Sequence, residues 1–151
     1  MTFIEFKGFD ELATRMKAIQ ALLPVVLTEI TASVSEVVKK DAADHVDGFW
    51  LDPGSGALRH SIEAYPLLDG PGMVTYGVGS NLVYANIQNY GGQITAKRAP
   101  YLVFTDYRTG TVVKKRSVNI KAKRFMQKGM TAGAASAYRI AMPLLEEMMN
   151  A

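Results

Sequence analysis

Few residues in this chain have the type and spacing to do chemistry. Asp41 and His45 lie four apart, so a helix would set them on one face, where they could share a metal ion. No third strong ligand stands near them, and the chain has no cysteine. A histidine stabilised by the negative end of a helix dipole is the simpler reading. Gly77-Val-Gly79 follows a β-rich run and invites a nucleotide loop. The third glycine of the dinucleotide fingerprint is missing, and no Lys-Ser/Thr follows as a P-loop requires. Ser55 and Ser61 lack the strand–turn–helix setting of a nucleophile elbow. Glu146 and Glu147 are adjacent, so on a helix they diverge and form no carboxylate pair. The residues therefore point to a protein that is not an enzyme, with no metal and no cofactor.

One constellation remains. Lys97, Arg98, Lys114, Lys115, Arg116, Lys121, Lys123, Arg124 and Lys128 are interleaved with Tyr101, Phe104, Tyr107 and Phe125. Cations and aromatics in this mixture can contact phosphates. No recognition module accompanies them, so such binding would ignore base sequence. The same residues can instead meet an acidic surface of a neighbouring copy. The net charge of +3 conceals the asymmetry behind both readings. Residues 1–70 hold 6 Lys/Arg against 11 Asp/Glu, and residues 91–130 hold 10 against 1.

A length of 151 residues with 48% hydrophobic and 21% charged residues fits one globular domain, 1–151. The N-terminus lacks the basic region and apolar core of a signal peptide. The longest uncharged apolar run, around Ile19 to Thr28, is too short to span a bilayer, so no membrane contact is expected.

The elements that must position these residues follow from periodicity. Thr2 to Lys7 alternates as a short strand. Asp10 is an N-cap candidate, and apolar residues from Leu12 to Val38 recur every three or four positions, giving a helix over about 10–45. Pro24 either kinks this helix or starts a second one. Residues 47–58 read as a loop, in which Phe49 and Trp50 either cover the core edge or anchor an interface. Ser61 to Leu67 and Met73 to Gly79 form a hairpin, and Ser80 can cap a short helix ended by Gly91 and Gly92. Gln93 to Ala96 and Tyr101 to Thr105 are extended, and Thr111 to Ile120 returns as a strand. Thr131 to Asn150 is a helix that Pro143 should kink. Residues 93–118 form an extended hairpin or loop arm whose low apolar content suits ordering on assembly.

Four segments in order resemble the head–tail joining, neck and tail-completion proteins of tailed bacteriophages. Lys7-Gly-Phe-Asp-Glu-Leu12 resembles the opening G-x-x-x-L before the first helix of that family. Asp52-Pro-Gly-Ser-Gly56-Ala-Leu58-Arg59-His-Ser-Ile62 is similar to its P-x-x-T-G-x-L-R-x-S-I turn. Tyr84-Ala-Asn-Ile-Gln-Asn-Tyr-Gly91-Gly92 resembles Y-A-x-x-x-x-x-G. Val118-Asn-Ile-Lys121-Ala-Lys123-Arg124-Phe125-Met126 looks like V-x-I-P-A-R-P-F-L, with Lys121 where proline is usual.

The resemblance implies an α+β fold: a small antiparallel sheet with long N- and C-terminal helices packed on one face. It implies a virion protein, made and assembled in the host cytoplasm, that forms a homomeric ring, expected to be a hexamer. Its partners would be the connector or head-closure protein and a tail-tube or tail-terminator protein, around the DNA channel. Lys97, Arg98, Tyr101, Lys114, Lys115, Arg116, Lys121, Lys123, Arg124 and Phe125 are then the candidates for subunit or channel contacts.

Overall fold

A computed structural model describes residues 8–46, 56–70, 73–106 and 109–150. The expected strand over Thr2 to Lys7, and Phe49 and Trp50, lie outside the described residues.

The chain is α+β. Helix α1 (Phe9–Asp44) is followed by a single turn, α2 (Ala57–His60), and a hairpin of β1 (Ile62–Gly70) and β2 (Met73–Ser80). A short helix α3 (Ala85–Tyr90) leads to β3 (Gly92–Thr95), β4 (Leu102–Asp106), β5 (Thr111–Lys115) and β6 (Ser117–Ile120), and α4 (Phe125–Asn150) closes the chain. The strands pair as three antiparallel two-stranded ladders, β1–β2, β3–β6 and β4–β5, where one small sheet was expected.

Helix α1 is 36 residues, or about 54 Å, and α4 is 26, or about 39 Å, at the usual rise. Their packing depends on two missing side chains. A Cβ at Gly129 would lie 2.5 Å from the Val38 carbonyl oxygen, and one at Gly133 would lie 2.3 Å from Val38 Cγ2. Gly129, Gly133 and Ser136 share one face of α4, so the backbones approach closely there. Both helices run uninterrupted through Pro24 and Pro143, each giving up one backbone bond. Gly8, at φ 99°, occupies the N-cap of α1, and Asp10 falls in the first turn, where its charge suits the dipole.

In the first hairpin the register shifts between Pro66 and Leu68, where proline has no N–H to give. Gly77 pairs with Tyr65, and a Cβ there would lie 2.9 Å from the tyrosine ring. Gly77 of Gly77-Val-Gly79 thus makes room for an aromatic side chain across the ladder, which accounts for it without a nucleotide.

The segment 92–120 is one long hairpin. Gly92 pairs with Ile120 and Thr95 with Ser117 at its base, and Leu102 pairs with Lys115 and Asp106 with Thr111 in its outer half. Residues 96–101 bulge from one side, which divides the expected continuous strand 111–120 at Arg116. Ala96 N–H still reaches the Arg116 carbonyl at 3.1 Å. This is the expected arm.

Candidate functional site: a motif hub and an exposed arm

The core is small and sits where α1, α2, the first hairpin, α3 and the start of α4 meet. Ala42, Val46, Leu58, Ile62, Ala85 and Phe125 form one buried cluster. Three of the four quoted segments supply it. Leu58 and Phe125, 67 positions apart in the chain, meet in it.

The Gly56–Ile62 segment works as a staple. Gly56 adopts a left-handed φ of 64° ahead of α2, which turns the chain so that Leu58 is fully buried. Arg59 donates to Asp44 Oδ1 at 2.8 Å and ties α2 to the end of α1. Ser61 Oγ donates to the Leu58 carbonyl at 2.8 Å and lies 2.7 Å from Ser80 Oγ, which joins this turn to the end of β2. Residues 57–58 of the expected loop are thus helical, because Leu58 finds a core to enter.

The Tyr84–Gly92 segment cradles the start of α4. Tyr84 occupies the N-cap position of α3 and packs against the core. Ser80, expected to cap this helix, instead accepts from Leu82 N–H at 3.2 Å. Gln88 and Asn89 are buried. Their carbonyls accept from Lys123 N–H at 3.0 Å and Arg124 N–H at 2.9 Å, and Asn89 Oδ1 accepts from Met126 N–H at 3.0 Å. Gly91, at φ 74°, is hemmed in by Ala122 N, 2.7 Å from where a Cβ would sit. Among the described residues, Gln88 Nε2, Asn89 Nδ2 and Gln127 Oε1 are buried amide atoms with no hydrogen-bond partner.

These contacts move the start of the last helix. Thr131 was the expected first residue, but α4 begins at Phe125. Arg124 turns the chain with φ 54°, and the Asn89 side chain satisfies an early amide of the helix. Phe125 is 1% exposed. It anchors the hub, and this corrects its place among the contact candidates: its ring is not offered to a neighbour or to DNA. Lys121, Lys123 and Arg124 lie on the connection beside it.

The other candidates are on the arm and not with the hub. Lys97, Arg98, Tyr101, Lys114, Lys115 and Arg116 are all exposed. Val103 pairs with Lys114 and Thr105 with Val112, so these four share one face of the outer hairpin, and all are exposed. On the opposite face Leu102 and Phe104 fold towards Ile94, Val118 and Ile120 around an apolar cleft of about 230 Å³.

Among the described residues no group of three His, Cys, Asp or Glu side chains is placed to hold a metal ion. His45 Nδ1 lies 2.8 Å from the Asp41 carbonyl oxygen and 3.1 Å from Asp41 Oδ2, at the end of α1. Helix α1 is long and apolar enough to cross a membrane by length and composition, with a mean hydropathy of 1.6 over 18 residues. The run judged too short from its charges is thus part of a longer apolar helix.

The sequence reading missed Gly129 and Gly133. Their spacing of one helical turn was visible, and it marks a close helix crossing. It also missed Gln88 and Asn89, whose polar side chains gave no sign of burial. No family model matches this chain, and no curated protein or solved structure matches it.

Proposed function

We propose that this chain is a structural subunit of a tailed-phage virion, which assembles into a homomeric ring at the head–tail junction. The ring joins connector to tail around the DNA channel, in the neck or tail-completion position. Its work is mechanical. The four ordered motifs support the family, and three of them meeting in one hub gives each a structural reason to be there.

One observation carries the assembly reading. Among the described residues 17 large hydrophobic side chains are exposed, against seven hydrophobic residues buried. A monomer of this length ordinarily buries about two-thirds of its chain surface. The exposed residues are not scattered. Phe9, Leu12, Met16, Leu22, Leu23 and Val25 run along the first half of α1, and Tyr101, Val103 and Val112 lie on the arm. Apolar surface in contiguous runs marks contact sites.

Negative-stain images and sedimentation of the purified protein test the proposal. The expected result is a closed ring, sixfold by the family resemblance, that forms as concentration rises or when a virion partner is added. A chain that stays monomeric at high concentration, and fails to join purified heads to tails, overturns it.

A second reading has its own observation. Five arm cations are exposed, with Asp106 the one acidic residue among 91–130. Sequence-independent DNA binding by this arm predicts a steep fall in duplex affinity with salt.

A further inference from the structure

Resting on the ring reading, we infer that the start of α1 in one copy packs along the outer side of α4 in the next copy. Both surfaces are apolar stripes of helical spacing, and neither is covered within its own subunit.

From Phe9 to Val25 every residue except Ile19 is exposed. Helices in water take most of their stability from a packed face, and this stretch has the face without the packing. Phe9, Leu12, Met16, Ile19 and Leu23 recur at intervals of three and four, the spacing of a seam between two helices. Met16 stands 18 positions before Val34, which is five whole turns. The stripe therefore prolongs the side of α1 that receives Gly133 of α4. Gly129 lies against Val38 and Ala42, and Gly133 against Val38 and Val34, so the two helices run antiparallel. Equal rise along both brings Asn150 alongside about residue 19 of α1. The seat for a helix thus continues for about three turns past the helix that fills it.

The side of α4 turned away from α1 carries the second stripe. Gly129, Gly133, Ser136 and Met148 are buried on the inner side. Tyr138 follows Gly133 by five residues, about 140° round the helix. Tyr138, Met142, Leu145 and Met149 then recur at four, three and four. Tyr138 and Met149 are 74% and 69% exposed, and Met142 and Leu145 are half-buried. Among the described residues no element other than α1 packs substantially along α4. The stripe is about 17 Å long, against about 21 Å from Phe9 to Leu23. Neither stripe contains a charged residue, so their burial leaves no ion unpaired.

Within one subunit the two stripes cannot meet. The α1 stripe lies on α4's side of the helix pair but past its end, and the α4 stripe faces away from the pair. Two unlike surfaces on one chain make a head-to-tail contact, and repetition of that contact closes into a ring when the rotation allows.

The test uses the full chain in two forms, each checked for its helical circular dichroism. The seam form carries Leu12→Gln and Met16→Gln, and the outer form carries Tyr138→Gln and Met149→Gln. All four side chains are exposed in the subunit, so both forms should fold. Sedimentation, with virion partners added where the ring needs them, should show each form alone requiring about 100-fold more protein for half-assembly. At about tenfold above the half-assembly concentration of the unmodified chain, an equimolar mixture should form one-to-one pairs and nothing larger. Only one intact seam and one intact outer stripe remain between the two forms. Alanine at the same positions replaces any form that does not fold, with a smaller shift in the same direction.

Rings that survive in either form overturn the contact while leaving the ring proposal standing. So does a mixture that stays monomeric. An outer form that pairs with itself overturns it in favour of α1 against α1, and a seam form that pairs with itself in favour of α4 against α4. Flotation of the unmodified chain with phosphatidylglycerol vesicles, lost in the seam form while assembly is unchanged, overturns it in favour of a lipid surface. An unmodified chain that never assembles, even with virion partners, removes the ring reading first and this contact with it.

Discussion

At Gly129 an added methyl group would lie 2.5 Å from a backbone oxygen, whereas at Gly110, at the tip of the arm, it would meet nothing within 4 Å. The two glycines measure the two halves of this molecule. Around the hub, Leu58 and Phe125 are buried, Arg59 reaches Asp44, and Asn89 holds Met126. On the arm, Val103, Val112 and Lys114 share one exposed face. The hub is where the subunit spends its own folding energy. The arm lies away from that core and leaves its residues exposed, and in the proposed ring it is a surface left for a neighbour.

The sharpest way to break the contrast is at Phe125. Truncation to alanine should cost about 3–5 kcal/mol, because the ring is 1% exposed among Leu58, Ile62 and Ala85. Urea unfolding followed by circular dichroism would read it. A loss below about 1 kcal/mol would mean that the hub is not the core. Gly129→Ala should follow. The methyl must displace the Val38 carbonyl or Ala42, so the helices separate, at a cost of about 1–3 kcal/mol. The same substitution at Gly110 meets no atom, and its cost comes from φ 68° alone.

Asn89→Ala comes next, at about 1–2 kcal/mol. It removes the acceptor for Met126 N–H at the start of α4. Because Asn89 Nδ2 has no partner to lose, the effect should be that of one cap bond. Asn89→Asp, which keeps an acceptor but buries a charge, separates the bond from the burial. Equal stability of the alanine and native forms would show that the first turn of α4 is held by Gln88 and Asn89 carbonyls alone.

Much of this division was legible in residue order, and the part that was not has a physical cause. Long helices reveal themselves by periodicity, and α1 lies within a residue or two of its expected limits. The arm was legible because charge density and turn residues cannot be buried. The start of α4 was not, because Lys121 to Gln127 contains no helical period; its conformation is set by carbonyls and a side chain some 35 residues away. The turn at Gly56 was hidden for a similar reason, since Leu58 is helical only once it has a core to enter. Of the contact candidates, Phe125 was misplaced because its cationic neighbours in sequence are not its neighbours in space. Lys114, Lys115 and Arg116 are exposed on the arm.

The smallest expected effect is also the most discriminating. Lys114→Ala and Val112→Ser should each change the stability of the isolated subunit by less than about 0.5 kcal/mol, as at other exposed sites. The corresponding backbone should behave the same way in hydrogen exchange. Amides of β4 and β5 in the monomer should exchange much faster than those of α4 between Gly129 and Ser136, because a two-stranded ladder opens without disturbing the core. Assembly should then slow the arm amides and leave the α4 amides unchanged. Strong protection of β4 and β5 in the monomer would mean that the arm is held by its own subunit, and the line drawn between hub and arm would have to move. Fast exchange that persists in the ring would place the contact elsewhere. Slowing confined to β4 and β5 would mark the arm itself as the assembly surface.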